Sequence, residues 1–215
     1  AKALYFGFNT LKGQILEKVV IEEITSDIQP KSQKISSRSQ DSTFINFKII
    51  GSENGKKVKI GVSVIQSSQI TLTAALKRLI QYENFGLTRG CLIRSQSKIE
   101  QMRKNSEAYK LLNELILVKG GEHVDLLEEQ IRPLIAVLAV YKNRQKYQLT
   151  EENIFDFISK TKITFDNLLL REILSDPSGN MPDIDDEDII SESGLFDSSS
   201  LSETDDSDEL SELFN

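Results

Sequence analysis

One histidine and one cysteine set the limits of what nucleophilic or transition-metal chemistry this chain can do. His123 follows Glu122 and lies two residues before Asp125, a set of types that in principle could ligate a divalent metal. Three ligands on one short turn stand too close together for a good cage, so "KGGEH" (119–123) reads as a loop turn. It also lacks the Lys-Thr that follows the glycines of a phosphate loop. Cys91 and His123 could form a thiol–imidazole pair. However, Cys91 sits in the apolar run "GCLI", where a lone cysteine reads as a small hydrophobe. A single cysteine excludes an intramolecular disulfide and a multi-cysteine zinc site.

The second group with chemical potential is cationic. Lys56, Lys57 and Lys59 cluster at a turn, and Lys77, Arg78, Arg89 and Arg94 follow on the next helix and strand ends. Arg103, Lys104, Lys142, Arg144 and Lys146 lie further along. Such residues can neutralise phosphates, which gives affinity for nucleic acid without reading its sequence. The net charge of −7 conceals this. Residues 176–215 hold 14 acids and no Lys or Arg, leaving 26 basic against 19 acidic residues in 1–175. The body is therefore cationic and the tail strongly anionic, a pattern that suggests a nucleic-acid partner or an internal electrostatic one.

The elements that must position these groups follow from periodicity. Residues 11–25 carry apolar side chains at helical spacing and are expected as a helix. "SDIQPKSQKISSRSQDS" (26–42) reads as loop or irregular edge. "TFINFKII" (43–50) and "VKIGVSVIQ" (58–66), joined through Asn54-Gly55, read as a β-hairpin. Helices are expected over 71–85, 97–116, 125–145, 149–161 and 163–174, with a short strand at 90–96. Thr150 is the expected N-cap of the 149–161 helix. From Asp176 onward Pro, Gly, Ser and acids dominate, the composition of a disordered tail. That tail contains two Leu-Phe pairs, Leu195-Phe196 and Leu213-Phe214, suited to docking a protein partner.

The order helix, hairpin, helix, strand resembles the restriction-endonuclease-like, or PD-(D/E)XK, nuclease superfamily over residues 10–96. "GQILEKVV" places Glu17 four residues after Gly13, as in the family's first helix, and "GVSVIQ" stands where the family carries a Glu and a Lys two residues apart. The resemblance implies a mixed-sheet α/β core in which two carboxylates bind a divalent metal such as Mg²⁺ and a lysine positions the attacking water or stabilises the developing charge. Here the second acid falls at Ser63, the lysine at Ile65 and the first acid at Asn46, with Asp41 the nearest true carboxylate. A Ser is a poor substitute for a charged metal ligand, and an Ile cannot stabilise a developing anion. The implied protein is a catalytically inactive copy that needs no cofactor. It would bind DNA or scaffold a partner, as part of a larger DNA-processing or defence protein. The alternatives are a protein–protein adaptor without DNA binding, or an Mg²⁺ nuclease with a rearranged site built on Asp41, Glu17 and Glu53.

The expected organisation is a nuclease-like core over 1–96, a helical extension over 97–175 and a disordered acidic tail over 176–215. The chain shows neither a run of about 18 apolar residues nor signal-peptide architecture, so no membrane partner and a cytoplasmic location are expected. The missing initiator Met fits a fragment of something longer.

Overall fold

A two-residue turn at Asn54-Gly55, both at positive φ, folds the chain back on itself and pairs Phe47–Glu53 (β3) with Lys56–Val64 (β4) in full antiparallel register. This is the expected hairpin. The computed structural model that shows it describes residues 1–26, 28, 30, 45–67 and 69–184. Asp41, Leu195, Phe196, Leu213 and Phe214 lie outside these.

Around the hairpin lies one six-stranded mixed sheet whose strands neighbour one another in chain order. Ile15–Leu16 (β1), Val19–Thr25 (β2), β3 and β4 form an antiparallel meander. Arg89–Arg94 (β5) and Glu122–Asp125 (β6) then add in parallel. The helix expected over 11–25 is therefore corrected to a β-hairpin. Val19, Val20, Ile21, Ile24 and Thr25 are β-branched, and that preference for a pleated, packed surface outweighs the helical spacing. The helix that precedes the meander is Lys2–Asn9 (α1), which buries Ala3, Leu4, Gly7 and Phe8. The loop turn expected at 119–123 is corrected too, since Glu122 and His123 begin β6.

Helices cover both faces. Gln69–Leu79 (α2), Tyr82–Phe85 (α3), Gln96–Ile99 (α4) and Glu107–Asn113 (α5), which runs on into one π-helical turn at Glu114–Val118, bring their apolar residues together with Ile65 and Leu92. On the opposite face α1, Glu128–Lys142 (α6) and Leu168–Leu174 (α8) pack over Val19, Ile21, Phe47, Ile49, Ile60, Val62 and Ile93. Glu151–Thr161 (α7) lies outside α6, joined by a small third core of Val137, Ile154 and Ile158. Thr150 closes the expected N-cap as a full capping box with Asn153. Every residue of β5 is buried, as a central parallel strand requires.

β6 and α8, from the presumed extension, share the sheet and core of the first 96 residues. Past Asp176 the chain still packs. Ile184 is buried and Met181 partly buried in the α2–α5 layer, and Gln96 donates to the Asp183 carbonyl at 3.0 Å.

Candidate functional site

The three motif positions on the hairpin do converge. The Asn46 N–H donates to the Val62 carbonyl at 2.8 Å, and its Oδ1 accepts the Val64 N–H at 2.7 Å. Asn46 thus continues the β3–β4 ladder with its own side chain. Ser63 is fully enclosed, and Ile65 is 7 % exposed within the apolar α2–α5 layer. No group of three His, Cys, Asp or Glu placed to hold a metal occurs among the described residues. Glu17, the one carboxylate that matched outright, is corrected. It sits on the β1–β2 turn at φ 47° and pairs with Arg171 at 2.6 Å, so it is spent on anchoring α8.

The C-terminal ends of the parallel strands, where α/β sheets usually bind ligands, carry a polar network turned inward. Arg94 Nη1 donates to the carbonyls of Ile65 at 2.8 Å and Ser67 at 3.1 Å. His123 Nε2 lies 2.8 Å from the Arg94 carbonyl, and burial lowers its pKa, which favours the neutral ring. Asp125 Oδ1 accepts the Gln96 N–H at 2.7 Å, and Ser95 Oγ donates to Gln66 Oε1 at 2.9 Å. Apart from Arg94 Nε, which is enclosed without a hydrogen-bond partner among the described residues, these groups bond backbone and one another, so the arrangement braces the strand ends.

At the opposite end of β5 and β6, Arg89 donates from Nη1 to the Ser175 carbonyl and from Nη2 to the Leu174 carbonyl, capping α8. Glu122 is buried beside it, with Oε1 enclosed and lacking a hydrogen-bond partner among the described residues. Burial pushes its pKa up to about 8 against the pull of Arg89, and the nearby Glu172 adds to the rise. Burial likewise pushes up the Tyr82 hydroxyl and holds the Cys91 thiol well above its ordinary value, so Cys91 is an inert core residue.

The expected nucleic-acid residues therefore divide. Arg89 and Arg94 are corrected from surface contacts to buried ties on backbone carbonyls. Lys77 pairs with Glu107 at 2.7 Å, and Arg78 donates to the Ala74 carbonyl at 2.9 Å. Lys56 and Lys57 stand exposed and Lys59 half-buried at the start of β4.

Two concavities open on the α1–α6–α7 side, and one of them reaches Asn46 of the hairpin. A cavity of about 830 Å³ is lined by Tyr5, Phe6, Asn46, Tyr141, Glu151 and Phe155, among others. Its aromatic rings touch, with centroids of Phe6 and Tyr141 4.9 Å apart. Beside it, α6 and α7 enclose an almost wholly apolar groove of about 520 Å³, whose walls include Val140, Leu149, Ile154, Phe157 and Ile163. Phe157 is 52 % exposed, and Ile135 and Tyr147 are also open to solvent. The sequence did carry a signal for this face. α7 holds Ile154 and Ile158 for its buried side yet has Phe155 and Phe157 to spare, more apolar surface than one packed face needs.

No protein-family model matches this chain, and no curated protein or solved structure is detectably similar to it.

Proposed function

We propose that this chain is a non-catalytic, nuclease-like module that scaffolds a protein partner. The observation that carries this reading is the state of the hairpin positions. Asn46 is spent on the Val64 N–H, Ser63 is enclosed and Ile65 is packed among apolar side chains. A metal nuclease needs carboxylates exposed to a hydrated ion at these places. The element order α1, the β2–β3–β4 meander, α2 and parallel β5 supports the nuclease-like assignment. The exposed aromatic and aliphatic residues of α6 and α7 support the scaffold role, since apolar surface gathered in one place marks interaction sites. The test is incubation with supercoiled and linear DNA in Mg²⁺ or Mn²⁺, together with calorimetric titration of both ions. Neither cleavage nor stoichiometric metal binding is expected. Turnover abolished by Glu17→Ala or Asp41→Ala would replace this reading with a rearranged nuclease.

A second reading, DNA contact, is favoured by one observation: Lys56, Lys57 and Lys59 follow the hairpin turn at the start of β4, the first two exposed. A titration at varied salt tests it independently of cleavage.

A further inference from the structure

We infer that the α6–α7 groove is the docking site of this chain's own acidic C-terminal segment, Asp205–Asn215. The inference goes beyond the scaffold reading but rests on its claim that this face binds protein. The groove's walls, Pro133, Val140, Leu149, Ile154, Phe157 and Ile163, offer little besides apolar contact, with Asn153 as a polar exception. Its occupant must therefore bring large apolar side chains at a spacing that fits between two helices. "DDSDELSELFN" does so. Leu210, Leu213 and Phe214 stand at i, i+3 and i+4, the anchor spacing of an amphipathic helix laid in a groove.

Charge agrees with shape. The segment carries Asp205, Asp206, Asp208, Glu209 and Glu212 and no cation. Val140 and Leu149 line the groove, the connector between them holds Lys142, Arg144 and Lys146, and no acid occurs from residue 130 to residue 150. Of the acids that follow on α7, Glu151 accepts from the Tyr141 hydroxyl at 3.2 Å and Asp156 is engaged by Lys160 at 3.5 Å, while Glu152 is exposed. The connector thus supplies cations with no acid among them, although Arg144 also donates to the Tyr141 carbonyl at 3.1 Å and lies over the Tyr141 ring.

Reach is sufficient. The last described residue, Ile184, packs in the α2–α5 layer on the other side of the sheet. Twenty-five residues lie between it and Leu210. That length spans at most about 90 Å extended, and about 28 Å as a root-mean-square coil. A tether of this kind gives a local concentration of about 1 mM, so an affinity of only about 0.1 mM fills the groove roughly ten to one. The tail then acts as a built-in competitor that any partner must displace.

A fluorescent peptide of residues 205–215 tests this, read by anisotropy at about 50 mM salt. Against the full-length chain it should bind weakly, because the groove is already filled. Against the full-length double variant Leu213→Ser, Phe214→Ser it should bind about tenfold tighter. Adding Phe157→Glu, or separately Val140→Glu, to that variant should remove the gain, and thermal melts check that each remains folded. Raising salt to about 200 mM should weaken the peptide's binding. Equal binding to both tail forms, no binding to either, or binding indifferent to both groove variants overturns the inference. So does a dimer that Phe157→Glu dissociates and the tail variant leaves intact, since a second copy would then cover the groove. All these readouts are separate from DNA cleavage and metal titration, so failure here leaves the non-catalytic reading untouched.

Discussion

Arg94 reaches across from β5 and donates from Nη1 to the carbonyl of Ile65 at 2.8 Å, at the exit of β4. Ile65 is thus held from the backbone side by a buried guanidinium, while its side chain fills an apolar layer.

Ile65→Lys should therefore destabilise rather than activate. An ammonium without a counter-charge at a site 7 % exposed costs about 2 kcal/mol or more. The expected result is a lower urea midpoint with an unchanged slope, and no cleavage even with Ser63→Glu added. An unchanged midpoint would mean that the position opens to solvent.

The β1–β2 turn makes the opposite prediction. Glu17 and Lys18 occupy φ 47° and φ 68°, a two-residue turn that favours Asn-Gly. Strain of this kind costs on the order of 1 kcal/mol for each non-glycine residue. Lys18 pairs with Asp176 at 3.4 Å, but both side chains are about two-thirds exposed, so the pair contributes little. Lys18→Gly should raise the unfolding free energy by about 0.5–1 kcal/mol in urea titrations. Glu17→Ala keeps the strain and loses Arg171, so it should lower it.

Those two sites show what the chain discloses as text. The β3–β4 hairpin was legible because Asn54-Gly55 and strict β-branched patterning agree with each other. The β1–β2 hairpin was not, because its turn is Glu-Lys and its apolar spacing also fits a helix. β6 is four residues of mixed polarity, "EHVD", and becomes a strand only because β5 lies ready to pair with it. Burial is a property of the fold, so the same cationic side chain that reads as a phosphate contact at Arg89 turns out to cap α8. The convergence of Asn46 with Ser63 followed from hairpin register, whereas the α6–α7 groove needed the helices to be placed.

Glu122 gives a pH prediction whose sign is fixed by its raised pKa. The folded chain keeps the proton up to about pH 8, while the unfolded chain releases it near 4.5. Between those values the folded state binds more protons, so stability falls as pH rises, by at most about 1.4 kcal/mol per pH unit. Glu172, also raised by burial, acts in the same direction. His123, lowered by burial, acts oppositely below about pH 6.5, where the unfolded ring takes up a proton. The difference between wild type and Glu122→Gln isolates the carboxyl. Urea unfolding at pH 5, 6.5 and 8 should show the variant gaining relative stability at each step. Parallel curves would place the carboxylate in water.

The salt dependence of DNA binding tests how many cations are free to meet phosphate. Each phosphate contact contributes about 0.9 to the slope of log affinity against log salt on duplex DNA. Seven contacts, counted from the sequence as Lys56, Lys57, Lys59, Lys77, Arg78, Arg89 and Arg94, would give a slope of roughly 6. In the folded chain Arg89 and Arg94 are buried against carbonyls, and Lys77 and Arg78 have partners within the protein. Lys56, Lys57 and Lys59 remain, which limits the slope to about 3 and the affinity to weak binding at about 50 mM salt. The triple change Lys56→Gln, Lys57→Gln, Lys59→Gln should then abolish what binding there is. A measured slope near 6, or binding that survives the triple change, would show that another cationic surface carries the contact, with Lys142, Arg144 and Lys146 the first to test.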